Sequence, residues 1–163
     1  MYMTIRILAT GWTIDCSRIR DDGVYEFSET HIPTMLLQSR ITTKSVLNVL
    51  FLKDSALLND LDRCIIESTC HQVSEDKIII THGTDTMQLT AERLISTIRN
   101  KTIVLVWSMI PYNRPGSDAL FNLWSAFTAV QILPAWVYVT MNGKVFPGDA
   151  VVKDHSLGIF CEK

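Results

Sequence analysis

The stretch Lys77-Ile78-Ile79-Ile80-Thr81-His82-Gly83-Thr84-Asp85-Thr86-Met87 passes from an apolar run, through a cluster of hydroxyl and charged side chains, into a helical pattern. Ile78 to Thr81 is short and β-branched, as expected of a strand covered on both faces. From Met87 onward, apolar residues recur at helical spacing: Met87, Ala91, Leu94, Ile95 and Ile98. A buried strand feeding directly into an amphipathic helix is half of a βαβ unit. The polar cluster between them therefore falls at the carboxyl end of a strand, where open parallel sheets bind their ligands.

The same alternation extends to either side. Strands are predicted at Ile5 to Thr10, Val46 to Leu52, Ile103 to Val106 and Val137 to Met141, each covered on both faces. A first helix is predicted to pack through Leu58, Leu61, Ile65 and Val73, and a third through Leu120, Leu123, Phe127 and Val130. Ser117 and Asp118 offer the third helix its N-cap. The fold class is α/β, an open, mostly parallel sheet with helices on both faces. No repeat or Pro/Gly-rich linker divides the chain, so residues 1–163 are expected to form a single domain.

Composition narrows the function. The chain has 163 residues, 47% of them hydrophobic, which is enough for a substantial core. With 15 Lys and Arg against 17 Asp and Glu, the net charge of −2 favours neither a nucleic-acid nor an acidic-membrane partner. The apolar run at Ile7 to Ala9 is too brief for a secretory core, and no apolar stretch approaches a membrane span. Cys16, Cys64, Cys70 and Cys161 show no metal-ligand spacing and read as reduced thiols of a cytoplasmic protein.

Two strand-end turns can carry chemistry. Ala9-Thr10-Gly11-Trp12-Thr13-Ile14-Asp15 sets a hydroxyl at the tip of a tight turn, where it can attack a carbonyl while backbone N–H groups hold the oxyanion. Taken alone, Thr13 reads more often as a turn-stabilising threonine than as a nucleophile. In the second turn Thr84 or Asp85 could cap the helix, or the hydroxyl, carboxylate and helix-start N–H groups could together hold a zwitterion. His82, beside a buried strand, reads as a satisfied structural residue. No HxH or HExxH spacing supports a metal, and nothing calls for a cofactor.

Taken together, these turns resemble the two signatures of the bacterial-type L-asparaginases. Thr10-Gly11-Trp12-Thr13-Ile14 is similar to Thr-Gly-Gly-Thr-Ile, and His82-Gly83-Thr84-Asp85-Thr86-Met87 matches the second signature unbroken. Further matches are Ser108-Met109-Ile110-Pro111, Phe121-Asn122-Leu123 and Gly148-Asp149-Ala150-Val151-Val152-Lys153. The resemblance implies an amidohydrolase that converts asparagine, or glutamine, to the acid and ammonia. It makes Thr13 the first nucleophilic threonine and Thr84, Asp85 and Lys153 a second catalytic constellation. It also makes Asp85 the holder of the substrate α-amino group, with Thr84 beside it, and Ser55 the contact for the α-carboxylate. Tyr25 resembles the tyrosine of a mobile lid and reads equally as an ordinary loop tyrosine. Either threonine fits the attacking role, and Lys153 could accept a proton only if its surroundings depress its pKa.

The chain departs from that pattern in two ways. The family's C-terminal domain has no counterpart in residues 1–163, which leads us to expect homo-oligomerisation over the surface that domain covers elsewhere. In addition Trp12, Trp107, Trp124 and Trp136, all four tryptophans of the chain, stand where the family has glycine. With glycine at roughly 7% of residues, chance would produce this about once in ten thousand cases or fewer. Translation of a UGA codon that the host reads as glycine would produce it systematically. As written, Trp12 should strain or fill the nucleophile turn and Trp107 should line the same crevice, leaving the chain weakly active or inactive. Trp124 is expected to cost packing strain of about 1–3 kcal/mol on its helix. Alternative functions are a non-catalytic asparagine or aspartate binder, and the amidase subunit of a tRNA-dependent amidotransferase.

Overall fold

The computed structural model describes residues 3–11, 13–21, 23, 25–154, 157 and 159–163, with Tyr25 described by its backbone alone. Its strands are β1 (Ile5–Ala9), β2 (Cys16–Ile19), β3 (Tyr25–Phe27), β4 (Ser45–Val49), β5 (Lys77–Thr81), β6 (Thr102–Val106), β7 (Val137–Met141), β8 (Lys144–Pro147), β9 (Val151–Asp154) and β10 (Ile159–Glu162). Its helices are α1 (Ile32–Gln38), α2 (Asp60–Gln72), α3 (Met87–Thr97) and α4 (Ala119–Ile132), with 3-10 turns at Thr13–Asp15 and Ser55–Leu57.

Six strands form the central sheet in the order β4-β1-β5-β6-β7-β8. The first five are mutually parallel, and β8 closes the edge antiparallel to β7. Asn142-Gly143 makes that reversal with both residues at positive φ, 51° and 78°, the requirement of a two-residue hairpin turn that follows the sheet twist. Strand side chains alternate between two cores. Ile5, Ile7, Ile79, Val104 and Val106 pack with α1 and α4, while Leu8, Ile78, Ile80, Ile103, Leu105 and Val139 pack with α2 and α3. Helices therefore cover both faces, as the sequence predicts.

Three local expectations are corrected. Helix α2 turns Leu61 and Ile65 to solvent, 74% and 47% exposed, and buries Ile66 and Cys70. The Asn59–Asp62 capping box fixes where the helix starts, and from that start the apolar residues at 61 and 65 fall on the outer face. Strand β4 is the sheet edge, so Ser45 to Asn48 are half-buried and Val49 is exposed. Asp118 occupies the N-cap position of α4 but makes no side-chain cap; Ser117 Oγ accepts the Ala119 N–H at 3.1 Å instead.

Charges at the amino ends of the strands are structural. Arg6 on β1 holds Glu75 through paired bonds of 2.9 and 3.0 Å. Lys101 Nζ donates to Val73 O at 2.5 Å, and Lys77 Nζ to Leu133 O at 3.3 Å. Val73 and Leu133 are the C-caps of α2 and α4, so each ammonium satisfies an orphan carbonyl at the negative end of a helix. The polar groups left for ligand chemistry lie at the opposite edge.

Candidate functional site

From β1 the chain travels outward to β4, then crosses back over β1 to enter β5 on its other side. Neighbouring connections diverge at this point, the place beyond the carboxyl ends of the strands, here β1 and β5, where open parallel sheets bind ligands. The turns after both strands lead into it.

The turn after β1 is shaped by Gly11. Its φ is +95°, and a Cβ there would stand 2.3 Å from Lys53 N and 2.7 Å from Leu52 Cα. Only glycine lets the β4 exit pass this close, and Lys53 N donates to Thr10 O at 3.1 Å across the contact. Thr10 Oγ1 is spent on Thr81 O at 2.6 Å, tying β1 to β5. Beyond the turn, Thr13 opens the 3-10 turn and is buried. Asp15, also buried, accepts from Thr30 Oγ1 at 2.8 Å and His31 N at 3.0 Å through one oxygen, while its other oxygen has no partner among the described residues. Desolvation holds its carboxyl above the usual aspartate value against those two bonds.

The turn after β5 joins Thr84, Asp85 and Lys153. Lys153, on β9, places Nζ 2.8 Å from Thr84 Oγ1 and 2.8 Å from Asp85 Oδ1. Thr84 Oγ1 lies 3.5 Å from the same carboxylate oxygen. Neither Thr84 nor Asp85 caps the following helix. The N-cap position belongs to Thr86, whose hydroxyl donates to Ser55 O at 3.0 Å and clasps the β4 exit loop. Ser55 itself is fully buried, with a hydroxyl that has no hydrogen-bond partner among the described residues. Desolvation, with the nearby Asp85 charge adding to it, raises the carboxyl of neighbouring Asp54.

His82 is the structural residue that the sequence suggests. Nδ1 lies 2.7 Å from Gly83 O and Nε2 2.8 Å from Thr90 Oγ1. A carbonyl can only accept, so Nδ1 carries the proton and Nε2 accepts from the threonine. Burial drives its pKa down to about 4, leaving a neutral ring that staples the turn to α3.

Trp107 follows β6 and links the two turns. Its indole N–H donates to Thr13 Oγ1 at 3.1 Å, and Lys153 Nζ lies 5.6 Å from the ring centroid. The side chain is 5% exposed and belongs to the α2–α3 core. Thr13, Thr84, Asp85 and Lys153 thus converge through one tryptophan, with Ser55 joined to the group by Thr86. The Tyr25 side chain and all of Trp12 lie outside the described residues. Beyond a helix cap, the sequence pointed to no role for Asp118, whose carboxylate accepts Met109 N at 2.9 Å and Ile110 N at 3.0 Å and holds the loop after β6. The signal for it was present as an Asp eight residues beyond Ile110 of an Ile-Pro loop. Among the described residues, no group of three or more His, Cys, Asp or Glu is placed to hold a metal ion, and no helix is long and apolar enough to cross a membrane.

The other tryptophans stand apart from the site. Trp124 is 49% exposed on α4 and donates to Ser39 Oγ at 2.7 Å, so the packing strain expected of it does not arise. Trp136 packs half-buried against the α1–α4 core beneath the Arg99 guanidinium, 5.6 Å from its ring.

Comparison with known proteins gives a consistent result. The model of the asparaginase N-terminal domain matches residues 4–160. The L-asparaginase of Thermococcus kodakarensis is 38% identical over 125 residues, covering 74% of this chain and 37% of that protein. A glutamyl-tRNA(Gln) amidotransferase subunit of Methanococcus vannielii is 32% identical over 153 residues, covering 86% of this chain and 34% of that protein. Among solved structures, the thermostable T. kodakarensis L-asparaginase superposes with a TM-score of 0.85 at 32% identity, covering 98% of this chain and 51% of that one. The chain thus spans a third to a half of the length of these relatives.

Proposed function

The chain belongs to the asparaginase family, through that family's N-terminal domain, and on this premise we propose that it is the catalytic part of an amidohydrolase acting on L-asparagine, with glutamine as a second substrate. The observation that carries this reading is the position of Lys153 Nζ, 2.8 Å from both Thr84 Oγ1 and Asp85 Oδ1, at the switch point that Thr13 also borders. Asp85 is the partner for a substrate ammonium, and the buried, unpaired Ser55 hydroxyl is a donor for its α-carboxylate. The ligand's ammonium then meets a carboxylate, and its carboxylate meets a neutral hydroxyl donor.

In the reaction, the Thr13 oxygen bonds to the amide carbon. The C–N bond breaks, nitrogen leaves as ammonia carrying the hydroxyl's proton, and an ester remains on the threonine. Water then cleaves that ester, releasing aspartate and restoring the hydroxyl. Thr84 and Lys153 relay the protons, with the Tyr25 lid as a second route. The paired arrangement leaves Thr84 as the alternative nucleophile.

A cytoplasmic location agrees with four unbridged cysteines. Homo-oligomerisation belongs to the same proposal and is supported by the exposed apolar groove where Phe121, Trp124 and Ile132 of α4 meet Val145 of β8. Relatedness to an amidotransferase subunit keeps a second reading, the amidase part of a larger complex. The test is ammonia release from asparagine by the form carrying glycine at 12, 107, 124 and 136, against the same form with Thr13→Ala. Release that depends on Thr13 supports hydrolysis, and binding of aspartate without release would make the protein a binder.

A further inference from the structure

We propose that the Trp107 indole is a built-in occupant of the substrate crevice, and that this residue decides whether the site can admit an amide at all. The inference rests on the amidohydrolase reading for the identity of the excluded ligand, but its geometry stands independently.

Trp107 emerges just past the carboxyl end of β6, the strand next to β5 at the switch point. Its N–H donates to Thr13 Oγ1 at 3.1 Å, and Lys153 Nζ lies 5.6 Å from its ring centroid. That same Nζ holds Thr84 and Asp85. One side chain therefore contacts both halves of the reactive constellation, and at 5% exposure it is enclosed and not displayed at the rim. For attack, an acyl carbon must come within about 3–3.5 Å of the threonine oxygen. The atom now at that distance from Thr13 is the indole nitrogen. A substrate amide and this ring cannot share the space, and the N–H···O bond also directs the hydroxyl's lone pair at the tryptophan.

The effect is one of bulk. Removing the side chain should leave an aromatic-sized cavity of the kind that stays open and takes up a ring of matching shape. Free indole should refill it, and a small amino acid engaging Asp85 should compete with that indole.

The experiment takes as parent the full chain carrying Trp12→Gly, which clears the other tryptophan expected in the nucleophile turn, and compares it with the same chain carrying Trp107→Gly, Trp107→Leu or Trp107→Phe, with near-ultraviolet circular dichroism to verify folding. Indole and L-aspartate are titrated calorimetrically against each. We expect the parent and Trp107→Phe to bind neither probe. Trp107→Gly should bind indole, and aspartate should displace it with a Kd at least tenfold below the highest concentration at which the parent shows no binding. Trp107→Leu, which keeps an apolar group in the core should the glycine form not fold, should shift aspartate binding in the same direction. Equal aspartate affinity in the parent and Trp107→Gly would overturn the occlusion while leaving the hydrolase reading intact. Tight aspartate binding by Trp107→Phe would also overturn it, because the N–H and not the ring would then be responsible. Indole uptake by Trp107→Gly without aspartate competition would sustain the occlusion and refute the asparagine reading.

Discussion

His82 makes the stability of this fold depend on acid in a way that can be worked out from its surroundings. The ring is fully enclosed, with Nδ1 donating to Gly83 O and Nε2 accepting from Thr90 Oγ1. A second proton would have to go on Nε2, breaking the Thr90 bond and placing a cation in the core close to Arg63. Burial therefore lowers the pKa from its ordinary 6.5 to about 4. Above the ordinary value the ring is neutral whether the chain is folded or not, and stability does not change. Between the two values the unfolded chain takes the proton and the folded one refuses it, so the unfolded state binds more protons and stability falls as pH falls. Below the folded value both states are protonated and the loss levels off. The gap between 6.5 and about 4 corresponds to a loss of about 3 kcal/mol. His82→Asn keeps a donor for Gly83 O and removes the titration. Urea unfolding of both proteins across this range isolates the effect, since every other ionisable group titrates alike in the two. The variant should be the less stable at neutral pH, and the difference should shift in its favour by about 3 kcal/mol by about pH 4. A difference that stays constant across the range would refute the argument.

Gly11→Ala should destabilise the fold by more than about 2 kcal/mol, because strain at positive φ adds to a Cβ overlap with the Leu52–Lys53 backbone; thermal unfolding measures it. Asp85→Ala, made in the glycine-restored form, should raise KM for asparagine and lower kcat together, since the carboxylate proposed to bind the substrate ammonium also holds Lys153; steady-state ammonia release distinguishes this from a change in stability alone. Trp124→Gly should lower stability by about 1–2 kcal/mol, from glycine's poor helix propensity and the lost Ser39 bond; a rise in the denaturation midpoint would restore the expectation of packing strain at this residue.

The sheet was legible because its information is local. Each central strand is a self-contained apolar run, and the α3 stripe of Met87, Ala91, Leu94 and Ile98 is buried as its spacing requires. The α2 stripe failed because its orientation is set by the Asn59–Asp62 capping box and by Lys53, which holds Asp62 at 2.8 Å. Those contacts compete with apolar periodicity, and Leu61 and Ile65 end up outside. Asn142-Gly143 carried a readable hairpin signal that anticipates β8. The clustering of Thr84, Asp85 and Lys153 could be expected only from the family resemblance, because Lys153 reaches the turn across 68 residues of chain. No local pattern reports a contact of that range.

Trp107 shows why composition and position must be weighed together. By composition it is an ordinary buried aromatic, and by packing it serves the α2–α3 core well. Trp124 and Trp136 are equally well accommodated, one half-exposed on a helix and the other beneath an arginine. A fold can therefore tolerate large side chains at these three places, and good packing says nothing about whether the residue belongs there. Function separates them. Of these three, only the indole at 107 gives a hydrogen bond to the candidate nucleophile and lies beside the lysine that serves the second threonine. The physical consequence of tryptophan in this chain is thus concentrated at one described position, where stability favours the ring and substrate access requires its absence.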